Sequence, residues 1–136
     1  PGPSSATMAE RRYSREHTWA ERRDGALLVG LTAHAIDRLG HLRSLQLDVT
    51  PEQVLLPGQV FGTLESDRAV VDLYTPVGGR VVAINEDLAR DPSTLHEDCY
   101  EAGWLVHLDP VESSEFSGLL DAAAYNEFLR MRTADL

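Results

Sequence analysis

The sequence contains no lysine. All twelve basic side chains among its 136 residues are arginine. A GC-rich genome biases codons in that direction, yet the consequence is chemical: any reaction that needs a primary side-chain amine, such as a Schiff base or an acyl-amide attachment, has no internal acceptor here. Cysteine is nearly absent as well. A single residue, Cys99, cannot close an internal disulfide, which points to a reducing, cytoplasmic compartment. No apolar run approaches the roughly 20 residues that span a bilayer. Positive charge is scarce, with 12 basic against 22 acidic residues for a net charge of −10. Nucleic acids and anionic membranes both require a basic surface, so neither is an expected partner. No nucleophile elbow, phosphate loop or metal-ligand spacing occurs. The five histidines, His17, His34, His41, His96 and His107, are scattered.

What is present is a pattern of short strands. A hydrophobic content of 43% with 25% charged residues is ordinary for a folded domain. Residues 1–8, "PGPSSATM", are read as a cloning remnant followed by a start methionine, leaving 9–136 as one domain. "WAERRDGALLVGLT" reads as a hairpin with its turn at Asp24-Gly25. Thr32 is a helix N-cap, Ile36 and Leu39 share a helical face, and Gly40 stops that helix. "LRSLQLDV" alternates imperfectly as a strand, and "RVVAIN" and "GWLVHLD" are further strands. Asn85 is expected to cap a short helix that ends by Asp91-Pro92. Asp121 caps "AAAYNEFLRM", whose Tyr125, Phe128 and Leu129 form an apolar stripe. Trp19, Phe61, Tyr74 and Trp104 are assigned to the core or its edges. The fold class that follows is mainly β: a small antiparallel β sandwich or flattened barrel with short peripheral helices and a C-terminal helix.

Residues 63–75, "TLESDRAVVDLYT", draw most of the functional interest. Two strand-like arms flank a polar apex, Ser66-Asp67-Arg68, with Glu65 just before it and Asp72 on the return arm. The segments "VLLPGQVFGTLE" and "LYTPVGGRVVAIN" each place a Pro/Gly turn ahead of a β-rich run. Two similar halves meeting at this apex would set it at an exposed extremity. As a local feature it has two readings: a recognition epitope for a partner, or a solvated turn in which Ser66 and Asp67 favour the backbone geometry and Arg68 is loosely paired.

Taken together, "YSREHTW" (13–19), "VGLTAHAIDRLGHL" (29–42), "LPGQVFGTLES" (56–66), "DLYTPVGGRVVAIN" (72–85) and "LHEDCYEAGWLVHL" (95–108) resemble the H protein of the glycine cleavage system, a member of the biotinyl/lipoyl-carrier fold. The resemblance implies a lipoyl-domain-like hybrid barrel and no catalysis. In that family a lysine in a Glu-Ser-x-Lys-Ala context carries lipoate in amide linkage. Here the matching residues are Glu65, Ser66, Asp67, Arg68 and Ala69, so Arg68 stands at the attachment position. A second departure is Cys99, where the family commonly has proline in an "EDPY" loop.

The leading expectation is therefore a non-lipoylated H-protein-like module without a cofactor or metal, monomeric, docking on a partner enzyme through Glu65, Ser66, Asp67, Arg68 and Asp72. Its setting would be glycine-related or specialised metabolism. Two alternatives stand beside it. One is a carrier that uses Cys99, the one obvious nucleophile, although acidic Glu97, Asp98 and Glu101 would suppress its thiolate. The other is an H protein whose lipoyl lysine was replaced by Arg68. The face of the C-terminal helix bearing Glu127 and Arg130 is a secondary docking candidate.

Overall fold

Among the described residues, nine strands fall into two antiparallel sheets. The computed structural model describes residues 10–23, 25–111 and 113–134. The segment 1–8 and Asp24 of the expected turn lie outside them. In chain order the strands are β1 (Glu10–Tyr13), β2 (Thr18–Arg23), β3 (Ala26–Leu31), β4 (Leu42–Leu47), β5 (Val54–Leu55), β6 (Val60–Ser66), β7 (Val70–Tyr74), β8 (Gly79–Ile84) and β9 (Val106–Pro110). One sheet runs β1-β2-β3-β9-β8-β5 and the other β4-β6-β7. The helices are α1 (Ala33–Leu39), α2 (Glu86–Arg90), α3 (Thr94–Glu97), α4 (Ser113–Ser117) and α5 (Ala122–Ala134). This is the expected mainly-β sandwich with peripheral helices and a C-terminal helix.

The two Pro/Gly turns act as sheet switches. The chain leaves the large sheet after β5, passes Pro57-Gly58 into β6, returns along β7, and crosses back at Pro76–Gly79 into β8. β6 pairs with β7, and β5 with β8, so the two similar sequence halves are paired element for element about the hairpin. Thr75 N–H to Gln59 O (2.9 Å) and Gly58 N–H to Thr75 O (2.8 Å) tie the crossings together. The tip thus lies at the far end of a hairpin whose base is anchored in both sheets.

The imperfect alternation of "LRSLQLDV" has a physical cause. β4 pairs with β6 through an irregularity between Leu42 and Ser44, which lets Leu42 and Leu45, three apart, both enter the core. One apolar cluster joins Phe61, Leu64 and Leu73 from the small sheet with Leu27, Val29, Val81 and Leu108 from the large one. Trp19 is completely buried, and its Nε1–H points at Leu31 O (2.9 Å) and Cys99 O (3.1 Å). Directly across the β2–β3 ladder sits Gly30. A Cβ there would lie 2.5 Å from the Trp19 ring, so the glycine makes room for the indole.

Several local expectations hold and others are corrected. The Thr32 side chain accepts from Ala35 N–H, and Gly40 ends α1 at φ 74°. Asp121 Oδ1 accepts from Ala124 N–H (2.8 Å). α5 docks with Tyr125 buried and Phe128 and Leu129 half-buried, and Tyr125 stacks on Tyr13 with ring centroids 4.8 Å apart. The Tyr125 hydroxyl meets His17 Nδ1 and Thr32 Oγ1, each at 2.8 Å, and burial pushes its pKa up to about 12. His17 is thereby a hydrogen-bonding structural residue, as expected.

Asn85 occupies the N-cap position of α2 but makes no cap bond. Its Nδ2–H₂ donates instead to Ala102 O (3.1 Å) and Trp104 O (2.8 Å), serving loop carbonyls that lack a ladder partner. "GWLVHLD" becomes strand only from Val106. Phe61 is buried as expected, whereas Trp104 is half-buried and Tyr74 exposed, because Tyr74 falls on the outer side of β7. Glu21 was not anticipated. It lies fully buried on β2 between Arg11 and Arg23, while the Arg11 guanidinium covers the Tyr100 ring at 4.2 Å.

Candidate functional site

The tip is built around Ser66, which is buried despite its place in a turn. Its backbone N–H donates to Ala69 O (2.8 Å), and its Oγ accepts from the N–H groups of Arg68 and Ala69, both at 3.1 Å. One short side chain thus satisfies the inward-pointing donors of the apex, the role expected of a serine that opens a turn. None of these bonds involves the side chain at position 68.

The surrounding groups do not pair as sequence proximity implies. Asp67 faces Arg43 on β4, and that hydrogen bond holds its carboxyl below the usual range. The Asp67 N–H donates to His41 O (3.0 Å). Glu65 accepts from Ser44 Oγ (3.3 Å). Asp72 stands on β7 opposite Thr63, exposed to solvent. Arg68 reaches across to α1, where its Nη1–H donates to Arg38 O (2.8 Å). With His34, Asp37 and Arg38 it lines an open cleft beside that helix.

The structure therefore brings Glu65, Ser66, Asp67, Arg68 and Asp72 onto one end of the hairpin. Arg68 pairs with none of its acidic neighbours there: its acceptor, Arg38 O, lies thirty residues away. Arg43, Arg38 and His41 contribute to the site without having been singled out. Arg38 and Gly40 carried a local signal as the last turn and stop of a helix. Arg43 carried none.

Cys99 lies elsewhere, beyond the indole of Trp19, and is 7% exposed. Burial pushes its thiol above the usual range, with Asp98 adding to the effect. Glu127 and Arg130 form an exposed ion pair along α5. Among the described residues no group of three or more His, Cys, Asp and Glu side chains is placed to hold a metal ion, and no helix is long and apolar enough to cross a membrane.

Two sheets switched by paired Pro/Gly turns, with a serine-built hairpin apex displayed at one end, define a carrier-type domain of the lipoyl-domain architecture. The chain belongs to the glycine cleavage H-protein family, whose model matches residues 11–132. It is 39% identical over 118 residues to the glycine cleavage system H protein of Anaeromyxobacter sp. (strain K), covering 87% of this chain and 91% of that one. Over 119 residues it is 40% identical to the H protein of Myxococcus xanthus (strain DK1622), covering 88% and 92%. The crystal structure of a glycine cleavage system H protein from Mycobacterium marinum superposes with a TM-score of 0.77 at 32% identity, over 86% of this chain and 94% of that one. The family is one of carriers rather than catalysts.

The group the family carries does not fit the residues present. Amide attachment of lipoate requires a neutral primary amine at the apex. Position 68 presents a guanidinium, protonated and delocalised, already donating to a main-chain carbonyl.

Proposed function

We propose that this protein is a cytoplasmic, monomeric H-protein-like docking module that carries no lipoyl group and engages a partner enzyme through its hairpin tip, in glycine-related or specialised metabolism. The observation that carries this reading is Arg68. It occupies the attachment position within an otherwise retained Glu65-Ser66…Ala69 context, in a chain without any lysine. The turn that displays the position is fully built by Ser66, so the presenting architecture persists without the attachment chemistry. The tip offers acidic Glu65 and Asp72 beside Val70, which is 66% exposed. With a net charge of −10, the acidic rim complements basic groups on an enzyme surface, and Arg68 within it complements an acidic group opposite, so that losing or reversing its charge removes an attraction.

The test is capture of purified glycine cleavage enzymes by this protein, at low and high salt. Charged groups at the rim of an interface act mainly on association rate and salt sensitivity. Arg68→Ala is expected to weaken binding by about threefold, the scale of an exposed charge contact. Arg68→Glu is expected to weaken it by about tenfold at low salt, with the difference shrinking as salt screens it. If both variants bind as wild type at every salt concentration, the tip is only a turn, and the Glu127–Arg130 face of α5 becomes the place to look.

A carrier role for Cys99 is disfavoured by its burial and raised pKa. The native protein is expected to resist iodoacetamide at pH 8 and to react readily once denatured, read by intact mass. Cys99→Ser is expected to keep partner capture intact. Loss of capture in a folded Cys99→Ser protein, or an adduct on Cys99 in protein from the native host, would favour the thiol-carrier reading instead.

A further inference from the structure

We infer that Arg68 is a positioning residue that latches the hairpin tip onto the C-terminal end of α1, holding the docking apex in one orientation in place of a mobile arm. Helix ends leave carbonyl oxygens without intrahelical donors. At α1 three donors from two other parts of the chain converge on such carbonyls and those just beyond. Arg68 Nη1–H donates to Arg38 O (2.8 Å), His96 Nε2–H from α3 donates to Gly40 O (2.7 Å), and Asp67 N–H donates to His41 O (3.0 Å). A cation at this end is also favoured by the orientation of the helix peptide dipoles.

Gly40 provides the seat. It turns the chain at φ 74°, and the Arg68 Nε and Cζ lie only 3.4 and 3.5 Å from where a Cβ would stand. The guanidinium lies against a residue that has no side chain to lift it. On the other flank, Arg43 holds the Asp67 carboxylate. The apex is thus pinned from α1 by Arg68 and from β4 by Arg43, and Glu65, Val70 and Asp72 are presented in a fixed arrangement. A preorganised surface loses less conformational freedom on association than a flexible one. That functional consequence rests on the docking reading above, whereas the latch itself concerns the protein alone.

Arg68→Met keeps much of the side-chain length and removes the donors. Backbone amide exchange, followed by NMR on the intact protein without any partner, is expected to accelerate at Asp67 by about fivefold. That is the scale of losing one hydrogen bond's net contribution. Exchange at Leu45 and Leu64 in the core should stay as in wild type. Wild-type exchange at Asp67 in a folded Arg68→Met protein overturns the latch, whatever the variant does in partner capture. Accelerated exchange together with undiminished capture by the same variant leaves the latch standing and removes the docking reading.

Discussion

Incubation with lipoate, ATP and a lipoyl ligase is expected to leave every internal residue of this protein unmodified, whereas Arg68→Lys becomes an acceptor at that one position. The difference is one of nucleophile supply. A lysine with a pKa of about 10.4 is neutral for roughly one molecule in a thousand near neutral pH, whereas an arginine stays protonated throughout the physiological range. The arginine's lone pairs are further delocalised over the guanidinium. The Arg68→Lys variant retains the presenting geometry, because the turn rests on Ser66 Oγ and on backbone donors rather than on the side chain at 68. Glu65 and Ala69 remain in place beside it. Intact mass followed by peptide mapping reads the result. A lipoyl increment on any internal residue of the wild-type chain would sink the proposal that the protein carries no lipoate. A folded Arg68→Lys protein that accepts nothing would show that the tip has also drifted from ligase recognition at Asp67, which Arg43 holds here.

Trp19→Ala is expected to cost about 3–5 kcal/mol, the range for removing a fully buried large aromatic. For a domain of this size that lowers the melting temperature by about 10–20 °C. The indole is 0% exposed, and its N–H serves both Leu31 O and Cys99 O. The substitution therefore opens a cavity and also strips a donor from two carbonyls. Trp19→Phe separates the two effects, since it keeps most of the volume and loses the donor. Because Gly30 lies across the ladder against the ring, Gly30→Ala overpacks the wild-type protein. In the Trp19→Ala background, the same methyl enters the vacated space. The pair should be clearly less destabilising than the sum of the single changes, measured by thermal and urea unfolding. Strict additivity would mean that the indole and Gly30 are not in the contact described.

A change at the apex behaves differently from a change in the core. Arg68 is exposed, and the loss of one surface hydrogen bond falls within the small range typical of surface substitutions. Arg68 variants can thus report on docking and on tip motion without unfolding the protein, which makes position 68 the informative one for function.

Several features were set by the sequence itself. The absence of a side-chain primary amine is a covalent fact, and no fold can alter the chemistry available at position 68. The caps at Thr32 and Asp121 and the stop at Gly40 were legible because a capping side chain acts within three residues, and a φ of 74° favours glycine whatever lies around it. The family framework was legible because its turns and strand runs recur in order along the chain. The partners of polar side chains were not. Asn85 looked like a cap and became the donor to two loop carbonyls nearly twenty residues away. Glu21, followed in sequence by two arginines, is buried between Arg11 and Arg23, because β1 closes over β2. Asp67 and Arg68, adjacent and opposite in charge, ignore each other for Arg43 and Arg38. Only the register of β4 against β6, and the placement of α1 beside the hairpin, bring those acceptors and donors within 3 Å. A hydrogen bond is decided by such distances, and they exist only once the sheets have closed.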